Sequence, residues 1–166
     1  MSDITSLIMD DHEWFRRQFA RLDDVSTPAD LAAVWQPLAT RLDLHAEAEE
    51  TVFYPHLLKR GEQDPREETE DAVEDHNKIR DAIAEAARQD VGSDAWFEAV
   101  GRARTENSEH LAEEEDQGLP DFRKHAGLEL RAQLAEAWLR FYAEHPNGQG
   151  ISGADVDPEQ YLEAHS

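Results

Sequence analysis

The sequence contains no cysteine, which excludes disulfide scaffolds, thiolate metal sites, iron–sulfur clusters and cysteine nucleophiles. It has no run of 18 apolar residues, and its start, MSDITSLIMDDHEWF, lacks the basic stretch and long apolar core of a secretory signal. A cytoplasmic protein that does not engage membranes is the expectation. Strand signals are nearly missing as well, with no alternating Val/Ile/Thr run and no turn dipeptide between two such runs. Basic residues are few: 16 Lys and Arg stand against 38 Asp and Glu, a net charge of −22, which repels phosphate backbones and anionic lipid. Nucleic-acid binding is thereby disfavoured. Any chemistry must use His, Asp, Glu, Tyr and water.

What is present is helical periodicity. The 166 residues suit one domain, and the 39% hydrophobic residues are spaced, placing the acidic side chains on the solvated faces of amphipathic helices. The pattern predicts an all-α chain. A first helix runs from about Asp3 to Asp24 with Ile4, Ile8, Phe15, Phe19 and Leu22 on one stripe. Thr27-Pro28 starts a second, ending near Lys59 before Gly61; Asp64-Pro65 starts a third, to about Gln89; and Gly92-Ser93 precedes a fourth, from Asp94 to about Asp116. Short links make these an up-down-up-down four-helix bundle over about residues 3–125. An accessory helix is expected at about 128–144, packed on the bundle's side, so that 1–145 forms the domain and 146–166 a loose tail.

The chain repeats itself. Asp10-Asp11-His12-Glu13-Trp14-Phe15-Arg16 matches Glu74-Asp75-His76-Asn77-Lys78-Ile79-Arg80, 64 residues later. His45, Glu49 and Pro55 match His110, Glu114 and Pro120 at an offset of 65. Two helical hairpins related by a pseudo-twofold axis follow, with equivalent side chains facing one another.

Four residues along a helix advance by about 400°, so the His and Glu of each H-x-x-x-E segment share a face, one turn apart. His12, between Ile8 and Phe15, and His76, between Val73 and Ile79, lie within apolar stripes and point inward. Successive histidines are 33, 31 and 34 residues apart, one helix and one turn each, which puts all four at similar heights. A single histidine on an apolar face is usually a hydrogen-bonded core residue. Four of them with two inward carboxylates need a positive charge, and no Lys or Arg shares their positions. The donor set exceeds a three-ligand catalytic zinc and suits a pair of iron or manganese ions, iron being favoured.

The set His12, His45-x-x-x-Glu49, His76, His110-x-x-x-Glu114 resembles the hemerythrin-like family of HHE cation-binding domains, and within it the small bacterial, especially actinobacterial, members. The resemblance covers about residues 5–125. It implies a four-helix bundle around a non-heme di-iron centre, oxo-bridged when ferric, with Glu49 and Glu114 bridging. Ferritin-like proteins, with Glu-x-x-His and a carboxylate-rich site, do not fit these spacings. Oxygen-carrying hemerythrins show H-x-x-x-H on the third helix, whereas His76 has Ala72 before it and Arg80 after it. The carriers also place the last carboxylate five residues after its histidine, which keeps Glu115 as a weaker rival to Glu114.

A seventh donor residue is available in one half of the repeat. Tyr54 of Phe53-Tyr54-Pro55 aligns with Leu119 of Gly118-Leu119-Pro120. In an ideal helix Tyr54 lies about 140° from Glu49, but Pro55 cannot donate to Thr51, and a π-bulge would relieve the clash and swing Tyr54 toward the metal. A tyrosine merely packed ahead of a helix-bending proline is the alternative. A phenolate favours ferric iron, and with it reaction with hydrogen peroxide or nitric oxide; the resemblance to the actinobacterial members implies the same direction, a role in oxidative or nitrosative stress. An oxygen-binding storage or sensor protein and an iron-handling module are the other readings. The small-molecule partner is thus peroxide, nitric oxide or dioxygen. His56, His125, His145 and His165 are expected near the surface, outside any site.

Overall fold

The computed structural model describes residues 2–166 and is all-helical, with no strand among them. Helix α1 spans Ile4–Leu22 and α2 spans Pro28–Ala48; a π-helical turn, Glu49–Phe53, carries α2 directly into α3, Tyr54–Arg60. Then follow α4 (Pro65–Ala87), α5 (Asp94–Asp116), α6 (Gly118–His125), α7 (Leu128–Glu144) and α8 (Pro158–His165). The starts of α1, α2 and α5 are set by local chemistry: the side chains of Asp3, Thr27 and Ser93 accept from the backbone N–H of Thr5, Asp30 and Trp96. Asp64 behaves differently. It sits in the left-handed region at φ 48° and makes no capping bond, while Asp121 accepts from the N–H of Glu62 and Gln63 and closes this link from the other hairpin. Gly61 is required here, because a Cβ would stand 2.7 Å from the Asp121 carboxylate and 2.8 Å from the Leu57 carbonyl.

The first four long helices form the bundle, and α7 lies across α1 and α2. Two apolar layers fill the interior. Phe15, Phe19, Trp35, Leu38 and Trp96 belong to one layer, and Ile4, Ile8, Phe53, Leu57, Phe122 and Trp138 to the other. Each such side chain contributes roughly 1.5–3 kcal/mol when fully buried. His12, His45, Glu49, His76, His110 and Glu114, all at most 4% exposed, form a polar group inside this otherwise apolar bundle. Trp138 packs edge-on to His45 at 5.4 Å, so α7 helps wall in the polar group.

The structure departs from the sequence reading in two places. The fourth helix ends at Asp116 as expected, but after a break at Gln117 (φ −120°, ψ −71°) a further helix, α6, starts ahead of Pro120. Residues after Pro146 are not loose: α8 packs on α4, with Tyr161 and Leu162 buried, and the side chain of Asn77 pairs with both backbone groups of Val156 at 2.7 and 2.8 Å. Glycines and polar residues in that segment mask an anchor of two buried side chains, Tyr161 and Leu162, with Ile151 and Val156 partly buried beside them. No helix among the described residues is long and apolar enough to cross a membrane.

Candidate metal centre

Two donor groups meet inside the bundle. His12, His45, Glu49 and Glu114 form one and Glu49, His76 and His110 the other, each with its donor atoms within 4.8 Å of one another. Glu49 belongs to both: its Oε1 lies 3.0 Å from His45 Nε2, 3.2 Å from His76 Nε2 and 3.8 Å from His110 Nε2. Glu114 also reaches both sides, with Oε1 3.1 Å from His12 Nε2 and Oε2 3.7 Å from His110 Nε2. The four imidazoles thus turn Nε2 inward.

Each outward Nδ1 faces a carboxylate from another helix. Asp11 lies 2.9 Å from His45, Glu50 2.6 Å from His76, Asp75 3.4 Å from His110 and Glu115 3.4 Å from His12. A carboxylate on Nδ1 fixes the ring's tautomer and orientation and raises the basicity of Nε2, the arrangement that supports metal-binding histidines. Arginines back three of these acids: Arg80 reaches Glu50 at 2.8 Å, Arg41 reaches Asp11 at 2.7 Å and Arg16 holds Glu115. Glu115, the sequence's rival to Glu114 for the inner site, is therefore an outer partner of His12. Tyr142 on α7 donates to Asp11, which also takes Arg41 at 2.7 Å.

Tyr54 follows directly on the π-helical turn, is 2% exposed, and donates its hydroxyl proton to Glu114 Oε2 across the bundle. Its ring stands 5.9 Å from that of His76. Leu119, its repeat partner, is buried in the apolar layer instead. Beside Tyr54 a narrow cleft lined by Glu68, Ala72, Asp75, His110, Glu113 and Gly118 leads inward. It holds about 10 Å³ of free space, near the minimum for one water. His56, His125, His145 and His165 are partly buried and lie outside both donor groups.

The electrostatics are those of a site built around positive charge. Burial opposes a charged His45, yet Glu49 and Asp11 outweigh it and push the imidazole up to about 10. His12 and His110 are raised in the same way against burial, by Glu114 and Glu115 and by Asp75 and Glu49. Burial would raise Glu49, but His45, His110 and His76 hold it well below the usual carboxylate range. Burial and the charges of Glu114 and Glu49 keep the Tyr54 phenol protonated far above its ordinary value. His12 Nε2, His45 Nε2, Glu49 Oε2 and Glu114 Oε1 are buried without a hydrogen-bond partner. Buried donors of this kind are costly unless an ion takes them up, so the residues fit a bound metal.

A pH dependence follows for the metal-free protein. Raised imidazoles contribute stability that is complete below their unfolded value of 6.5 and is lost as pH rises through their folded values, about 10 for His45. Glu49, depressed, contributes above 4.5 and loses that contribution in more acid solution. The thermal midpoint of the metal-free protein should therefore fall steadily from pH 6.5 toward 10. A flat profile there would show that protonated imidazoles do not balance the carboxylates.

Asp11, Glu50 and Asp75 escaped the sequence reading, although each adjoins an inner residue and recurs at the repeat offset: Asp11 with Asp75, Glu50 with Glu115. The chain matches the family model described as the hemerythrin HHE cation binding domain over residues 3–122. No curated protein and no solved structure gives a significant match. With a matched span covering most of the chain and buried His and Glu groups on four bundle helices, the protein belongs to the hemerythrin HHE cation-binding family.

Proposed function

We propose that the centre holds two iron ions, with manganese the less suited metal, and that the loaded protein disproportionates hydrogen peroxide. In this reading His12, His45, His76 and His110 would be the imidazole ligands, Glu49 and Glu114 would be the carboxylate ligands shared between the ions, and Tyr54 would bind as a phenolate after releasing its proton to solvent. The observation that carries it is the Tyr54 hydroxyl, buried and directed at Glu114 within the donor set. A hard anionic donor at that place favours ferric iron over the ferrous state that reversible oxygen carriage needs. A bound ion pair supplies reversible electron storage, which lets one peroxide be oxidised to dioxygen while another is reduced to two waters.

The chain's own residues supply the rest. Asp11, Glu50, Asp75 and Glu115 hold the imidazole rings, and the narrow cleft at Ala72 restricts access to molecules of two or a few atoms. Nitric oxide meets that size limit too. With peroxide or nitric oxide as its reactant, the protein would serve in oxidative or nitrosative stress in the cytoplasm.

Air-exposed, iron-loaded protein should evolve dioxygen from peroxide over many turnovers and show a visible phenolate-to-iron absorption band. Tyr54→Phe keeps the ring packing and should retain iron, lose the band and favour the ferrous state. Peroxide that only bleaches the centre would eliminate the enzyme reading. Storage or sensing of dioxygen is the second reading, favoured by the hydrogen bond in which Tyr54 keeps its proton and donates it to Glu114. A phenol that stays protonated gives no band in the unaltered protein, and the reduced protein would then form a stable, reversible oxygen adduct.

Ala72 provides a further check. It is 6% exposed and lines the cleft with Tyr54 and His110. Ala72→Leu should destabilise the fold by roughly 1–3 kcal/mol through overpacking. It should slow the reaction with peroxide by roughly tenfold, a barrier change of about 1.4 kcal/mol, with iron content unchanged. Stopped-flow absorbance reads the rate, and an unaltered rate would show that small molecules enter elsewhere.

A further inference from the structure

The π-helical turn leaves one backbone acceptor short. In such a turn each N–H donates to the carbonyl five residues earlier, and Tyr54 N–H accordingly reaches the Glu49 carbonyl. The next donor in that register is residue 55, directed at the carbonyl of Glu50. Residue 55 is proline and has no N–H. Glu50 is only 6% exposed, so water does not readily replace the missing donor, and a buried carbonyl without a partner is destabilising.

The missing donor arrives from the far end of the chain. Tyr161 on α8, 7% exposed, donates its hydroxyl proton to the Glu50 carbonyl across 111 residues of sequence. Leu162, 1% exposed, buries the next position of the same helix. The approach to α8 is tied down by Asn77, the neighbour of His76, through its paired bonds to Val156. Glu50 is therefore held at both ends, by Tyr161 at its carbonyl and by His76 and Arg80 at its carboxylate. The second half of the repeat has no such device. There the helix ahead of Pro120 breaks at Gln117.

We propose that Tyr161 is a positioning residue whose hydroxyl stands in for the N–H that Pro55 lacks, fixing the π-helical turn and with it the placement of Glu49, Glu50 and Tyr54. The geometric part is independent of any metal. Its consequence for the centre rests on the reading of Glu49 and Tyr54 as ligands.

Amide hydrogen exchange on the full-length, metal-free protein tests the first part. Tyr161→Phe keeps the ring and removes only the donor. Exchange over residues 50–60 should accelerate by about 5- to 100-fold, the range that corresponds to one unsatisfied buried carbonyl, while α1 and α5 keep their rates. Pro55→Ala restores an N–H at position 55, so in that background Tyr161→Phe should add less than about threefold, because neighbouring effects on one group do not sum. Unchanged exchange in Tyr161→Phe, or equal acceleration in both backgrounds, overturns the proposal. In the iron-loaded protein Tyr161→Phe should shift the phenolate band at unchanged iron content, and an unmoved band refutes the effect on the centre. A band missing already in the unaltered protein refutes Tyr54 as a ligand, and the exchange rates over residues 50–60 then decide the role of Tyr161 by themselves.

Discussion

Replacing Glu49 by alanine is expected to empty the centre. Glu49 is fully buried and is the one residue shared by the two donor groups. Without it the second group keeps only His76 and His110, and the first keeps His12, His45 and Glu114. If the centre takes up the two irons proposed for it, elemental analysis should find that content falling to well under one per chain, since site affinity and folding free energy are linked. The gain in thermal stability on adding iron should vanish with it. The metal-free variant should keep its helical content, because the apolar layers of Phe15, Trp35 and Trp96 and of Phe53, Phe122 and Trp138 are untouched. Full iron retention in Glu49→Ala would show that the ions sit elsewhere and would remove the basis of the dinuclear reading.

Glu50 and Glu115 occupy equivalent repeat positions, yet their removal should have very different consequences. Glu50 pairs with Arg80, and both side chains are almost fully buried, at 7% and 3% exposure. Arg80 Nε already lacks a partner, so Glu50→Ala leaves a buried guanidinium with no carboxylate and only a 3.3 Å bond to Asn77, and should cost roughly 3–5 kcal/mol, besides releasing His76 Nδ1. Glu115 pairs with an Arg16 side chain that is 47% exposed. Water can replace that partner, while the buried His12 Nδ1 loses its facing carboxylate, so Glu115→Ala should cost roughly 1–2 kcal/mol. Urea unfolding of the two metal-free variants measures the difference. Equal losses would mean that the burial of Arg80 carries no energetic weight.

The contrast between these two glutamates marks the limit of the sequence. Helix starts at Thr27-Pro28 and Ser93, the stripes through Ile4, Ile8, Phe15 and Phe19, and the inward positions of the four histidines were legible because capping and helical periodicity act within a few residues. The π-helical turn was legible for the same reason, since Pro55 removes a donor from its own helix. The doubled motif added the pairing of Glu49 with Glu114, because a repeat with a pseudo-twofold axis brings equivalent residues together.

Sequence alone therefore determined that the four histidines with Glu49 and Glu114 point inward, how many helices carry them, and that their charges call for a cation. Which carboxylate serves which histidine was decided only by the tertiary structure, because Asp11 serves His45 and Glu50 serves His76 across helix interfaces that no local spacing encodes. The same holds for the bond from Tyr54 to Glu114 and for the return of Tyr161 to Glu50, contacts spanning 60 and 111 residues. Burial separates Arg80 from Arg16 although their motifs match. Exposure depends on what packs above a residue, and α8 with the segment leading to it covers one half of the repeat and not the other.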